Sequence, residues 1–175
     1  MIFLLPLLAG CPPEEGPKTV MLDCDACEAD CLSDIVESTS AEHVEGDLDY
    51  PDSPPSSGDH SRCWAEWGVH TDDEVPPENW VHNLEHGGVA FLYQTSVGYE
   101  AEVAELATYV GGLPHGRALL TAYPDMEWAF AVVSWEHRVR LSCYDLPTMK
   151  AFYTANVGHG PEDSLDDPTE DCWGI

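Results

Sequence analysis

The chain has 175 residues, and 33 acidic side chains against six Lys or Arg give a formal charge of −27 at pH 7. Such a surface repels the phosphate backbone of nucleic acids and the head groups of anionic lipids. We therefore predict no nucleic-acid partner. The length suits one domain with a sizeable hydrophobic core.

The N-terminus predicts export and lipid attachment. Residues 1–10 form a short apolar run that ends in Leu-Ala-Gly before Cys11, a pattern that resembles a bacterial lipobox. The run is too short to span a bilayer, and the two prolines after Cys11 would stop a helix. No Lys or Arg precedes the run, although a signal peptide normally begins with positive charge. We expect a signal peptide over residues 1–10 and a lipid on Cys11. The lipid would anchor the chain in the bacterial cell envelope (outer membrane, periplasmic or surface-facing).

The next segments are a predicted tether over residues 11–22 and an acidic, cysteine-rich helical segment over residues 23–41. Asp23 is a candidate N-cap for a helix over roughly residues 24–37. The cysteines of this helix would share one face. An even number of cysteines besides Cys11 indicates three disulfides in an oxidising compartment. The candidates are Cys24, Cys27, Cys31, Cys63, Cys143 and Cys172. We expect each of the first three to join one of the last three, and a metal or iron–sulfur site at the Cys-x-x-Cys pair is the rival interpretation.

Residues 42–162 carry the clearest secondary-structure patterns. Strands are predicted over 88–93, 117–123, 128–135 and, after a bend, 139–142. Helices are predicted over 99–110, where two glycines follow, and from Asp145 or Leu146 to about Asn156. This order predicts one compact α+β domain with a mainly antiparallel sheet and helices packed on one face. Residues 163–175 are predicted to be an acidic tail.

The segment from Val81 to Val89 contains two imidazoles, an amide and a carboxylate within five residues, and two glycines follow them. Imidazole is the commonest protein ligand for transition metals. The sequence therefore predicts a site for Zn or Cu, or for a small ligand. Its candidate ligands are His60, His82, His86 and Glu85. Either His70 or Glu85 would be the fourth ligand, and the candidate supporting residues are His70 and Asn83.

Two alternatives remain open. The same side chains could form a hydrogen-bonded network in a structural or partner-binding module without metal. The spacing His82-x-x-Glu85-His86 also fits the inverted zinc-protease pattern of a metal-dependent hydrolase. That pattern requires a helix, and we expect Gly87-Gly88 to break one. A binding protein is favoured over an enzyme, and the remaining histidines are assigned to turns, a strand bend and the acidic stretch: His43, His115, His137 and His159.

Several motifs together resemble one protein family. They are Pro54-Pro55-Ser56-Ser57-Gly58-Asp59-His60, Trp64, Trp67-Gly68-Val69, Val81 to Val89, and Gly160-Pro161-Glu162. The chain resembles the family named domain of unknown function 3105 over about residues 42–162. This resemblance implies a shared fold, a site at these motifs and a bacterial, often exported or membrane-tethered protein, but no established activity. The chain departs from the family pattern at Asp59, where Pro is usual, and at His70, where Tyr is usual.

Overall fold

The computed structural model describes residues 20–22, 27, 31–96 and 98–162. Strands within these residues are β1 (Val20–Leu22), β2 (Cys31–Ile35), β3 (His43–Val44), β4 (His60–Ser61), β5 (Gly68–His70), β6 (Val89–Tyr93), β7 (Ala118–Ala122), β8 (Phe130–Ser134) and β9 (His137–Leu141). Helices are α1 (Pro77–Glu85), α2 (Glu100–Gly111) and α3 (Leu146–Asn156).

A seven-stranded sheet in the order β1-β2-β9-β8-β6-β7-β5 forms the centre of the fold. Its pairings are antiparallel except that β7 runs parallel to both β5 and β6. The predicted α+β domain with a mainly antiparallel sheet is therefore confirmed. Strands β3 and β4 form a separate parallel pair in which His43 lies beside His60.

Successive residues of a strand point to opposite sides of the sheet, and helices cover both sides. Phe91 of β6 packs in one core with Leu106 of α2 and Met149 of α3. Its neighbour Leu92 packs in a second core with α1 side chains, including Trp80. The expectation that the helices share one face therefore holds for α2 and α3 but not for α1.

The predicted elements of the second half of the chain agree with the structure to within one or two residues. Strands β6 to β9 and helices α2 and α3 lie where the hydrophobic patterns placed them. The sharp bend between β8 and β9 is at Glu136, whose φ is 63°. Helix α3 is capped by Asp145, which accepts a hydrogen bond from the Thr148 N–H at 3.1 Å. This cap satisfies one of the unpaired donors of the first turn.

Helix α1 was not predicted from the sequence. It begins with Pro77 in its first turn, where the missing N–H costs nothing because that donor would be unpaired anyway. It ends at Glu85, and His86 is its C-cap. Gly87, with a φ of 79°, then turns the chain into β6. The expectation that Gly87-Gly88 would prevent a helix was wrong, since the glycines end the helix only after His82 and Glu85 are on it.

The N-terminal part of the described chain corrects two further predictions. Cys31–Ile35 form strand β2 rather than the end of a helix, and they pair with β9. Val20–Leu22 pair with β2 and are therefore not tether. The signal segment, Cys11, Cys24, Cys172 and the acidic tail over residues 163–175 lie outside the described residues.

Disulfides brace the domain as predicted. Cys27 is bonded to Cys143, across a sequence separation of 116 residues. Cys31 and Cys63 are disulfide-bonded as well. Cys27 is therefore not a thiolate ligand for a metal or an iron–sulfur cluster. Among the described residues, no helix is both long enough and apolar enough to cross a bilayer.

Candidate metal site

The site is built first on α1. His82 and Glu85 are three positions apart in this helix and are therefore neighbours on its surface. Both side chains are buried, with 2% and 7% of their surface exposed. Trp80 and Leu84 anchor the helix in the core beneath the sheet. The helix thus holds an imidazole and a carboxylate in fixed positions away from solvent.

The paired strands β3 and β4 bring two further imidazoles to α1. Their parallel register places His43 beside His60, and the His60 N–H donates to the Glu42 carbonyl at 3.1 Å. Asp59 accepts a hydrogen bond from the Glu42 N–H at 3.0 Å. Hydrogen bonds from Ser40 and Glu42 lower the pKa of the Asp59 carboxyl. The residue that departs from the family pattern therefore helps to hold His43 in place.

Four potential ligands converge between these elements: His43, His60, His82 and Glu85 each offer one ligand atom within 4.8 Å of the others. The Nε2 atoms of His60 and His82 lie 3.1 Å and 3.9 Å from Oε2 of Glu85. His43 is exposed, whereas the other three side chains are buried. The arrangement is a buried pocket of nitrogen and oxygen donors whose solvent side is formed by His43.

Backbone carbonyls fix the tautomers of the two buried imidazoles. Nδ1 of His60 lies 2.9 Å from the Gly58 carbonyl oxygen, and Nδ1 of His82 lies 2.7 Å from the Ser61 carbonyl oxygen. A carbonyl oxygen can only accept, so each Nδ1 must carry the proton. In the neutral ring, Nε2 then presents a lone pair toward Glu85. This arrangement is the one by which proteins orient metal-binding histidines.

Burial keeps these imidazoles neutral. It lowers the pKa of His60, and burial together with the neighbouring imidazoles lowers the pKa of His82 to about 3. Burial and the charge of Glu162 raise the pKa of Glu85. His60 Nε2 makes no hydrogen bond to the described residues, although a carboxylate oxygen lies 3.1 Å away. Two acceptors in contact repel each other unless a proton or a metal cation lies between them.

A second group of donors adjoins the first and shares Glu85 with it. Glu85, His86 and Glu162 each offer a ligand atom within 4.8 Å of the others. The His86 ring stacks on the His82 ring, with centroids 4.8 Å apart. Glu162 reaches the group because its N–H donates to the Glu85 carbonyl at 3.0 Å. Glu85, at the end of α1, therefore belongs to both donor groups.

The family model described as "Protein of unknown function (DUF3105)" matches residues 43–169. The chain belongs to this family. No curated protein and no solved structure matches the chain. The family match covers both donor groups, and no described activity accompanies it.

The family motifs contain every residue of the two donor groups except His43 in this DUF3105 member. The loop motif ends at His60, the helix motif carries His82, Glu85 and His86, and the last motif ends at Glu162. The structure brings His60, His82 and Glu85 together as the sequence suggested. It places His86 in the second group instead, so the inverted zinc-protease arrangement, with both histidines on one ion, does not form among these residues.

Two predicted site residues have other surroundings in the DUF3105 fold. Nε2 of His70 lies 2.7 Å from the Glu66 carbonyl, and His70 belongs to neither donor group. Asn83 bonds the backbone of Ala65 twice, accepting from its N–H at 2.8 Å and donating to its carbonyl at 2.9 Å. Asn83 therefore positions the loop before β5 rather than a ligand side chain.

The sequence placed Trp64 near the candidate site but favoured core and loop packing for it, and it did not assign His43 or Glu162 as donors. The ring of Trp64 lies 4.8 Å from that of His82 and 4.6 Å from that of His86, measured between centroids. His43 lies far from the motif in sequence and gave no local signal. Glu162 ends a motif that had already been noted, so its position in that motif was an available signal.

Proposed function

We propose that this DUF3105 protein binds a divalent transition metal, Zn or Cu, through His43, His60, His82 and Glu85. The proposal rests on one observation: lone pairs of two imidazoles and of a carboxylate point at one another at the centre of the group. Two neutral imidazoles, fixed as Nδ1–H tautomers by carbonyls, present Nε2 to a carboxylate oxygen at 3.1 Å and 3.9 Å. A cation between them converts this repulsion into coordination.

The donor set agrees with this choice of metal. Three imidazole nitrogens and one carboxylate oxygen suit Zn²⁺ and Cu²⁺ better than Ca²⁺ or Mg²⁺, which prefer oxygen ligands. Zinc–nitrogen bonds of about 2.1 Å place opposed ligand atoms at most about 4.2 Å apart. The group's outer limit of 4.8 Å therefore requires only a small inward movement on binding. Exposed His43 is the ligand best placed to make that movement.

A structural hydrogen-bond network is the competing function, and one observation favours it. The pKa of the Glu85 carboxyl is raised by burial and by Glu162. A protonated Glu85 would donate to His60 Nε2 and would satisfy the same pair of atoms without metal. The metal and the proton compete for one position. Metal affinity should therefore fall with acidification.

We further propose that the chain is exported and anchored by a lipid on Cys11. The disulfide bonds of Cys27, Cys31, Cys63 and Cys143 support an oxidising compartment. Expression in a bacterial host with radiolabelled palmitate tests the anchor. We expect label in the wild type and none in Cys11→Ser, whose chain should leave the membrane fraction. Unlabelled wild type would contradict the anchor and leave the metal proposal intact.

The metal proposal is tested by the metal content of the purified chain after dialysis against a zinc buffer at high ionic strength. His43→Ala is the main variant, since His43 is exposed and its loss should leave the fold intact. His70→Ala is the matched control, because His70 lies outside both donor groups. We expect stoichiometric zinc in the wild type and in His70→Ala, and clearly weaker binding in His43→Ala.

Two results would contradict the metal proposal. If the wild type binds neither zinc nor copper and His60→Ala is less stable than the wild type, the first donor group is a structural network. Zinc binding that is equal in the wild type, His43→Ala and His70→Ala would contradict the role of His43 as a ligand.

A further inference from the structure

We propose that a second divalent ion binds beside the first, held by Glu85, His86 and Glu162, so that Glu85 bridges a two-metal centre. The inference rests on the proposed function, because Glu85 is shared by the two donor groups. Oε2 of Glu85 faces His60 and His82. Its other oxygen would serve the second ion.

At the end of α1, the imidazoles of His82 and His86 lie side by side. The rings of His82 and His86 are stacked at 4.8 Å with an interplanar angle of 22°. The ligand atoms of His82 and His86 belong to different donor groups, so we assign the two imidazoles to neighbouring ions. His86 is 7% exposed, so its ring is fixed by packing rather than free in solvent. The neighbouring ring of Trp64 contacts both imidazoles.

Backbone hydrogen bonds hold Glu162 at the site, whereas an ordinary acidic residue on the surface has no such fixed position. Its N–H donates to the Glu85 carbonyl at 3.0 Å, and the Gly158 N–H donates to the Gly87 carbonyl at 2.8 Å. Between these bonds, Gly160 lies so close to Glu85 and Gly87 that a Cβ there would overlap their backbone. The chain thus returns against the end of α1 at a position that carries a carboxylate.

The chemistry of this group differs from that of the first. One imidazole and two carboxylates form a harder donor set, which suits Zn²⁺ or Mn²⁺. The carboxylates of Glu85 and Glu162 repel each other at this separation, and a cation between them removes that repulsion. Ions of two-metal centres lie about 3.5–4 Å apart. Because Glu162 is exposed, remaining coordination positions of the second ion would face solvent and could take water.

The test is zinc stoichiometry of the full chain by equilibrium dialysis at high ionic strength, which weakens nonspecific binding to the acidic surface. Glu162→Gln is the main variant, because it removes an exposed carboxylate charge without disturbing the core. Glu74→Gln is its matched control, since Glu74 is also exposed and belongs to neither group. We expect two ions in the wild type and in Glu74→Gln, and one in Glu162→Gln.

Electron paramagnetic resonance of the Cu²⁺-loaded chain tests whether the two ions are neighbours. Coupling between adjacent copper ions should broaden or reduce the signal per bound copper in the wild type, and Glu162→Gln should restore it. An uncoupled wild-type signal overturns the bridged centre, as does a Glu162→Gln chain that still takes two ions. One ion in both chains overturns the second position alone, and no ion in either also overturns the proposed function.

Discussion

Nε2 of His60 lies 3.1 Å from Oε2 of Glu85, and the two side chains are 0% and 7% exposed. Residue 60 follows a proline-rich loop and residue 85 ends a helix, so the contact depends on the packing of β4 against α1. It joins an imidazole that burial keeps neutral to a carboxyl whose pKa burial raises. The metal-binding hypothesis predicts a cation between these two atoms, whereas the structural hypothesis predicts a proton between them.

Replacing Glu85 with Gln should separate those hypotheses. The amide has no charge for a metal but can donate an N–H to His60 Nε2, as a protonated carboxyl would. We expect zinc affinity to fall at least about tenfold, or ~1.4 kcal/mol. The free energy of unfolding of the metal-free chain should stay unchanged or rise, since a buried carboxyl is removed. Competition with a chelating dye and urea unfolding measure the two quantities.

Glu78→Gln is the control for that experiment, because Glu78 lies in the first turn of the same helix and outside both donor groups. Its zinc affinity should match that of the wild type. If Glu85→Gln retains wild-type affinity, Glu85 is not a ligand and the bridging role fails with it.

Asn83→Ala should destabilise the chain while leaving all proposed ligands in place. It removes the two hydrogen bonds to the backbone of Ala65, and leaves a buried donor and a buried acceptor unpaired. The expected loss is about 2–4 kcal/mol in the free energy of unfolding. Urea unfolding measures it, with Asn156→Ala as control, since that side chain makes a single bond to Phe152 at the end of α3. A loss below about 1 kcal/mol would show that water replaces the Asn83 amide.

Gly160→Ala should push the chain away from the end of α1. A Cβ at this position overlaps the backbone of Glu85 and Gly87, and backbone cannot move aside as a flexible side chain can. We expect a loss of about 1–3 kcal/mol in stability and a weaker second ion. Gly111→Ala is the control, because its Cβ would meet Val69 Cγ2 at an ordinary 3.8 Å and helices favour Ala. Equal melting temperatures for the two variants would contradict this packing.

The metal-free chain should respond to acid through His82. Its folded pKa of about 3 lies below the ordinary value of 6.5, so between these values the unfolded chain binds a proton that the folded chain does not. The stability contributed by neutral His82 is therefore complete above pH 6.5 and is lost as the pH falls toward 3. The pKa of Glu85 is raised, so its contribution has the opposite sign and is lost as the pH rises.

The measurement compares urea unfolding of wild type and His82→Asn in a chelator from pH 7 to pH 5. The surface carboxylates titrate alike in both chains, so the difference reports His82 together with the neighbouring imidazoles that interact with it. We expect the stability of the wild type relative to the variant to fall by up to about 1.4 kcal/mol per pH unit below 6.5. A difference that does not change with pH would mean that His82 is not held neutral.

The sequence predicted those elements whose hydrophobic pattern is local and complete. Strands β6 to β8 are largely apolar runs of strand length, and α2 and α3 have helical spacing. Strand β9 instead alternates Arg138 and Arg140 with Val139 and Leu141. Prediction failed where the pattern was obscured. Helix α1 buries His82, Asn83 and Glu85 along with its apolar residues, so its polar positions gave no exposed face to recognise. Strand β2 was predicted to be helical because its cysteine follows a helical spacing. Its pairing with β9, about a hundred residues away, is not visible in the local sequence.

By itself the sequence determined which side chains are chemically equipped for a metal, since imidazoles, carboxylates and their spacing are local properties. It also determined the family and the mainly antiparallel α+β class. Only the tertiary structure decided the grouping of the ligands. His43 joins His60 through strand pairing, Glu162 arrives through a returning segment, and His86 turns to a second group at the helix end. These contacts span tens of residues, and their geometry follows from packing rather than from any short stretch of chain.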